Sequence, residues 1–289
     1  LHASLAPSEM CIRDRIKALN HNGVLAINMD NYKEYILLGK GIGFGKKVNE
    51  RIEAPENAHI YLLQQETERG LTKEIINNIE PQILEIANNI IMEAEKKFHE
   101  VDENILCPLA DHIAFAVKRI RDNEQISNPL TQDIKALFPE EYEVACKGKD
   151  IIKEIEGIEI NEDEIGYIAL HIHSSLGNEK VSQAMQVAML VRSCITSIEE
   201  STGKTIDIES LSYNRLMNHI KYMAARMLKG ETIKLDMNDY ISERFPKSFE
   251  IAEDICMKLG KELKKKIKSV EIGYLAMHIE RVFSDELED

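Results

Sequence analysis

Glu164-Ile165-Gly166-Tyr167, followed by Ala169, His171 and Ile172, returns 107 residues later as Glu271-Ile272-Gly273-Tyr274 with Ala276, His278 and Ile279. Sliding the chain against itself by that interval, without a gap, matches 18 of the 62 positions from 111 to 172, far above what composition gives. His112, Ile113 and Arg119 fall on His219, Ile220 and Arg226, and Phe138-Pro139 falls on Phe245-Pro246. The spacing inside the repeat predicts helices. Ile83, Ile86, Ala87, Ile90, Ile91, Ala94 and Phe98 form one apolar stripe, and Pro81 sits where a first helical turn tolerates it. Nearly everything beyond reads as amphipathic helices, interrupted at Asn128-Pro129, Phe138-Pro139, Gly157, Gly177-Asn178, Gly203, Gly230 and Phe245-Pro246. The body is therefore a duplicated all-α structure, two helical bundles divided near Gly177.

Ahead of the body the periodicity changes. Arg15 to Leu19, Val24 to Met29, Glu34 to Leu38 and His59 to Leu63 are short, partly alternating runs separated by Asn, Asp and Gly, the pattern of a small antiparallel sheet. The expected organisation is a β head over residues 13–66 and helical domains over 70–177 and 178–289. Residues 1–12 read unlike everything after them and are expected to be a non-native leader, with Met10 a candidate start.

With 289 residues, 44% of them apolar and none in low-complexity tracts, the chain has material for real hydrophobic cores. Its five cysteines are scattered, with no C-x-x-C pair, which argues against a disulfide framework or a zinc knuckle and fits a reducing cytoplasm. The longest apolar candidate, Ala184 to Val191, is short and contains Gln186, so no membrane insertion is expected. The net charge of −14 is unevenly spread. Residues 13–51 carry +4 and residues 52–289 carry −17, which joins a small basic head, suited to a polyanion, to an acidic body.

Histidine is scarce, nine in all, yet each copy keeps two, His112 with His171 and His219 with His278, each pair 59 residues apart. The first of each pair follows Asp111 or Asn218 at an expected helix start. The second lies seven residues after Glu164 or Glu271, on the same helix face, where a carboxylate would orient an imidazole. Three readings stand open. The histidines are satisfied core residues; or they hold a metal, although two ligands at this spacing fall short of a zinc set; or they are nucleophiles for reversible phosphorylation, which adds up to two negative charges and three acceptor oxygens. His173 has Glu280 as its repeat mate and reads as surface.

The β head, the duplicated body and the histidine pairs together resemble the BglG/SacY family of bacterial transcriptional antiterminators, over nearly everything from Arg15 onward. Lys17-Ala18-Leu19-Asn20-His21-Asn22 resembles the family's K-V-x-N-N-N. The stretch from Gly39 to Lys47, GKGIGFGKK, resembles its G-[KR]-G-[IL]-[GA]-F-x-K-K. A dinucleotide-binding glycine loop does not fit there, because no βαβ unit follows. In physical terms the glycines permit close backbone approach, Lys40, Lys46 and Lys47 suit phosphates, Phe44 offers a stacking face, and Asn20 and Asn22 carry amides for unpaired bases.

The resemblance implies a head that binds an RNA hairpin as a homodimer through Lys17, Asn20, Asn22, Gly39, Lys40, Gly41, Phe44, Lys46 and Lys47. It implies two phosphotransferase-system regulation domains (PRDs). A sugar-specific enzyme II would phosphorylate His112 and His171, and the phosphocarrier HPr would phosphorylate His219 and His278, with Asp111, Glu164 and Glu271 in support. No cofactor, metal or enzymatic turnover is implied. His21 stands where the family pattern carries Asn, and Asn218 replaces the Asp found before the first histidine of copy one, a change the family tolerates in its second domain. The rival expectations are a metal- or phosphohistidine-dependent enzyme and a purely structural helical adaptor.

Overall fold

Val24 and Ala26 point inward while Leu25 and Ile27 between them stay partly open, the alternation that a half-buried strand requires. In the computed structural model this strand is β2 (Gly23–Ile27), and it pairs on either side with β1 (Lys17–Asn20) and β3 (Glu34–Leu38). β4 (His59–Leu62) completes a four-stranded antiparallel meander in chain order. Val24, Ala26, Leu37 and Ile42 form its core, with Tyr35, Ala58 and Ile60 packed around them. A hairpin of two-residue strands, β5 (Glu66–Thr67) and β6 (Gly70–Leu71), follows. It is too short to show any alternation, and no residue pattern announces it. The structure describes residues 17–28, 33–47, 58–63, 66–67, 70–71, 76–177, 179–207, 210–262 and 266–284. The leader over 1–12 lies outside them.

The helices are α1 (Pro81–Lys97), α2 (Leu106–Arg121), α3 (Thr131–Leu137), α4 (Pro139–Glu156) and α5 (Glu162–Ser175), then α6 (Val181–Thr202), α7 (Leu211–Lys229), α8 (Asn238–Arg244), α9 (Pro246–Glu262) and α10 (Val270–Ser284). The second five repeat the first. α8 lies 107 residues after α3 at both ends, and α4 and α9 both begin on the proline of the Phe-Pro pair. Proline has no N–H to lose at a first turn, and its fixed φ suits the helix. Phe138 and Phe245, which close α3 and α8, adopt nearly the same backbone, φ −131° with ψ 57° and φ −132° with ψ 62°. In α1 the predicted stripe is the buried face: Ile83, Ile86, Ala87, Ile90, Ile91 and Ala94. Each buried isoleucine there contributes roughly 1.5–3 kcal/mol.

Two compact units result, one within Leu1–Asn128 and Glu140–Val181, the other within Pro129–Pro139 and Ser182–Asp289. The head and most of the first helical copy thus share one unit, where β1 packs on α1 and β4 packs on a 3-10 turn, Glu103–Ile105. α3, which the repeat assigns to the first copy, packs in the second unit against α7. There Asp133 pairs with Arg192 at 3.0 Å, and the Lys221 ammonium lies 4.7 Å from the Phe138 ring centroid. Among the described residues no helix is long and apolar enough to cross a membrane.

Candidate functional site

His112 lies on α2 and His171 on α5, and packing of the two helices brings the imidazole centroids to 5.4 Å. α2 starts at Leu106, so His112 sits well inside the helix and not at its start as expected. The apolar run Leu106, Cys107, Leu109, Ala110 continues directly from the 3-10 turn that Asp102 caps by accepting from the Asn104 N–H, so the helix begins earlier. Glu164, almost wholly buried, turns its carboxylate to the other helix. One oxygen is 3.2 Å from His112 Nε2, and the other accepts from Arg119 Nη2 at 2.7 Å. His171, seven residues along α5, is on the same face but about 10.5 Å further up the axis, so the expected Glu164–His171 contact gives way to Glu164–His112. Burial alone would raise the Glu164 carboxyl. The proximity of His112 and the hydrogen bond from Arg119 outweigh it and hold the group below its ordinary range, so it is ionised at neutral pH.

The second copy repeats the arrangement with one change. His219 on α7 and His278 on α10 stack at 4.7 Å, and the Tyr274 ring lies 6.2 Å from His219, where Tyr167 lies 5.4 Å from His112. Arg226, however, grips Glu271 with two parallel bonds, Nε to Oε1 at 2.8 Å and Nη2 to Oε2 at 2.7 Å. Both carboxylate oxygens are engaged by the guanidinium. His219 Nε2 and His278 Nδ1 are left buried with no hydrogen-bonding partner among the described residues.

Burial, with His278 and Arg226 adding, pushes His219 down to about 3, and burial with Arg281 and Arg215 lowers His278. Both are neutral at pH 7, the nucleophilic form. The depressed folded values mean that stability is fully present above the unfolded value near 6.5 and is lost as pH falls below it toward 3. The slope in that window reaches about 1.4 kcal/mol per pH unit for each such group. Urea unfolding of the parent and His219→Gln at pH 7, 6 and 5 checks this: the parent should lose stability more steeply than the variant, and parallel curves would contradict the lowered value.

Arg119 with Arg226 and Tyr167 with Tyr274 complete the two clusters. Their identity across the repeat was visible in the sequence, but nothing local marked them as partners of the histidines. A cleft of about 1010 Å³ opens beside the first pair, lined by Asp111, His112, Phe115, Lys118, Arg119 and Arg121 among others. His173 is not a surface residue. It is half-buried, with Nδ1 2.8 Å from Glu141 and Nε2 3.6 Å from Glu179. The equivalent positions in the second copy, Ser248 and Glu280, are also bonded, at 2.7 Å. That position ties α5 to α4 and α10 to α9 with different chemistry in each copy.

In the head, the two motifs meet at one end of the sheet. The loop after β3 lies on the turn between β1 and β2: the Gly39 N–H donates to Asn22 O at 2.9 Å, Gly43 N–H to His21 O at 2.9 Å, and Gly41 N–H to Asn22 Oδ1 at 2.8 Å. The Asn22 N–H donates to Asn20 Oδ1 at 2.9 Å, so both amide side chains shape this end. Lys40, Gly41, Phe44 and Lys47 are exposed, and Phe44 is 71% exposed with its ring edge-to-face with His21. Lys46 is half-buried. Lys17, at the other end of β1, is about 10 Å along the strand from Asn20. The Asn22 amide nitrogen also donates to Glu85 on α1 at 2.8 Å.

Among the described residues one group has the spacing of metal ligands, His59, Glu95 and Glu103, whose ligand atoms lie within 4.8 Å of one another. It sits where β4 meets α1 and the 3-10 turn, apart from both histidine pairs. Burial, reinforced by Glu95, raises the Glu103 carboxyl.

Comparison with known proteins agrees with this layout. The family model for the PRD domain matches residues 84–175 and 192–282, and the model for the CAT RNA binding domain matches 16–70. Protein GlcT of Staphylococcus saprophyticus is 32% identical over 269 residues, 91% of this chain and 94% of its own length. The PtsGHI operon antiterminator of Bacillus subtilis is 33% identical over 270 residues, 92% and 96% of the two chains. A solved structure described as "Crystal structure of GlcT CAT-PRDI" is 37% identical, covers 57% of this chain and 99% of that one, and has a TM-score of 0.48.

Proposed function

Since the chain belongs to the BglG/SacY family of transcriptional antiterminators, with a CAT RNA-binding domain and two PRD domains, we propose that it binds a leader-RNA hairpin as a homodimer. By holding that hairpin it prevents an overlapping terminator from folding, so that polymerase reads through, in the cytoplasm and without catalytic turnover. Residues 13–66 form the RNA-binding part, and residues 70–177 and 178–289 are the two regulation domains.

The observation that carries this proposal is the assembly at one end of the head sheet: exposed Phe44 between Lys40 and Lys47, beside the amides of Asn20 and Asn22. A-form RNA has a major groove too deep for side chains, so such a surface suits unpaired bases, stacked on Phe44 and bonded by amides, with lysines on the flanking phosphates.

The body supplies control. A sugar-specific enzyme II phosphorylates His112 and His171, and HPr phosphorylates His219 and His278. In each transfer a neutral ring nitrogen attacks phosphorus, a new N–P bond forms, and the donor's bond to phosphorus breaks. In the first copy the added anion would face the Glu164 carboxylate and compete for Arg119, which now bonds Glu164. In the second copy both oxygens of the Glu271 carboxylate are already bonded by Arg226. The same modification therefore meets different surroundings, and the two copies give unequal outputs.

The Bacillus subtilis relative is described as the PtsGHI operon antiterminator, so a leader hairpin of that kind of operon is the first RNA to test. The full chain is titrated with the hairpin and with a scrambled control at several salt concentrations. Phe44→Ala should cost about 1–3 kcal/mol of binding, the usual worth of one stacked base. Lys46→Ala should weaken binding to any RNA and lower the salt slope by about one phosphate contact. Equally weak binding to both RNAs would remove the proposal.

A further inference from the structure

Asn22 is expected to read RNA, yet in this structure part of its amide is occupied by the regulation domain. A side-chain amide has two N–H donors and one acceptor oxygen. The Asn22 oxygen accepts from Gly41 N–H and holds the glycine loop in shape, while its nitrogen donates to the Glu85 carboxylate at 2.8 Å. Glu85 lies on α1, in the part of the chain matched as the first PRD domain. No Lys or Arg pairs with it among the described residues. It thus places a carboxylate against the Asn22 amide, at the edge where phosphates would arrive.

This is not an isolated surface contact. Three residues further along α1, on the same helix face, Asn88 accepts from the Tyr61 hydroxyl of β4 at 2.7 Å, and both residues are only 5% exposed. Burial, with Glu103, Glu95 and Cys107 adding, lifts that phenol far above its ordinary range, so it stays a donor. The seam between head and α1 is therefore fixed by a buried bond, and Glu85 is carried by it into reach of Asn22. The other end of α1 leads to the histidines. Glu80 and Ile83, at its start, line the cleft that opens on His112, and Glu80 pairs with Arg121 across it at 3.4 Å.

We propose that Glu85 is a built-in competitor for RNA: the first regulation domain uses it to hold the Asn22 amide and to repel the RNA backbone. RNA binding then requires Glu85 to leave Asn22, and a charge change in the His112 cleft acts on that contact through α1. The proposal rests on the RNA-binding function given above.

The test is hairpin affinity of the full chain carrying Glu85→Ala, Glu85→Gln or Glu100→Gln, the last an exposed carboxylate in the loop after α1. Glu85→Ala removes both bond and charge and should bind about fivefold tighter, which corresponds to about 1 kcal/mol, one hydrogen bond's net worth. Glu85→Gln keeps an acceptor but loses the charge and should fall between it and the parent, with Glu100→Gln unchanged. Parent-like or weaker binding by Glu85→Ala, or an equal gain in Glu100→Gln, overturns the proposal and leaves the RNA-binding function standing. Failure of the parent and all variants to prefer the hairpin over a scrambled RNA overturns both.

Discussion

Gly43→Ala is expected to abolish hairpin binding. A Cβ built on Gly43 would lie 2.1 Å from the carbonyl oxygen of Asn20 and 3.0 Å from that of Gly23, both backbone atoms in the turn that carries the Asn20 and Asn22 amides. Neither atom can move without opening the β1–β2 turn, and the Gly43 N–H bond to His21 O would go with it. Forcing a methyl into a fully packed site costs about 1–3 kcal/mol and more where backbone must shift, and a β module of this size has little stability to lose. Gly41→Ala provides the comparison. Gly41 has φ +74°, but nothing lies within 4 Å of its would-be Cβ, so the penalty there is the left-handed conformation alone, about 1–2 kcal/mol. Circular dichroism and hairpin titration of both variants should therefore rank Gly43→Ala far below Gly41→Ala, and the reverse order would contradict the packing described here.

That close approach shows what a sequence can and cannot reveal. The alternating glycines from Gly39 to Gly45 announced a tight loop, and Phe44 between lysines announced an exposed ring, because both are properties of neighbouring residues. The repeat was equally plain. Since α3 and α8, and α4 and α9, are related by one constant shift, a gapless comparison lays out the stretch from α2 to α5 and its repeat, and the Phe-Pro pairs mark where two of its helices end and two begin.

Pairings between distant elements were another matter. Glu164 and His171 share a helix face, yet the rise of two turns separates them, and the carboxylate finds His112 and Arg119 on α2 instead. Nothing in the sequence near Asp133 says that α3 packs against α7 in the second unit. The bond from Asn22 to Glu85 joins residues 63 apart and depends on how α1 lies on the sheet. Likewise the difference between the two histidine sites comes from guanidinium geometry. Arg119 offers one nitrogen to Glu164, and Arg226 offers two to Glu271, although the residues at these positions are identical in both copies.

Replacing His112, His171, His219 and His278 together should remove all phosphoryl acceptance. Each pair is held ring against ring, tilted in the first copy and stacked in the second, beside an arginine and a carboxylate, and in the second copy burial keeps both rings neutral at pH 7. His173 is engaged by two carboxylates and has no histidine counterpart in the second copy, so it lacks the surroundings that the four share. A phosphoryl group shifts a dimer or docking equilibrium only if it interacts differently with the two arrangements. An anion facing Glu164 would do so, and an anion beside the Arg226–Glu271 pair would do so to a different degree.

The measurement is acid-labile label after incubation of the full chain with labelled phosphoenolpyruvate, enzyme I, HPr and a matching enzyme II. It is made on the parent, on each pair changed to alanine and on the fourfold variant, with a fourfold glutamine variant to separate loss of acceptor from loss of fold. The expected result is label on the parent, partial and unequal label when either pair is removed, and none on the two fourfold variants. Label persisting in a folded fourfold variant, or no label on the parent with a proven cognate enzyme II, would contradict phosphoryl control through the histidine pairs.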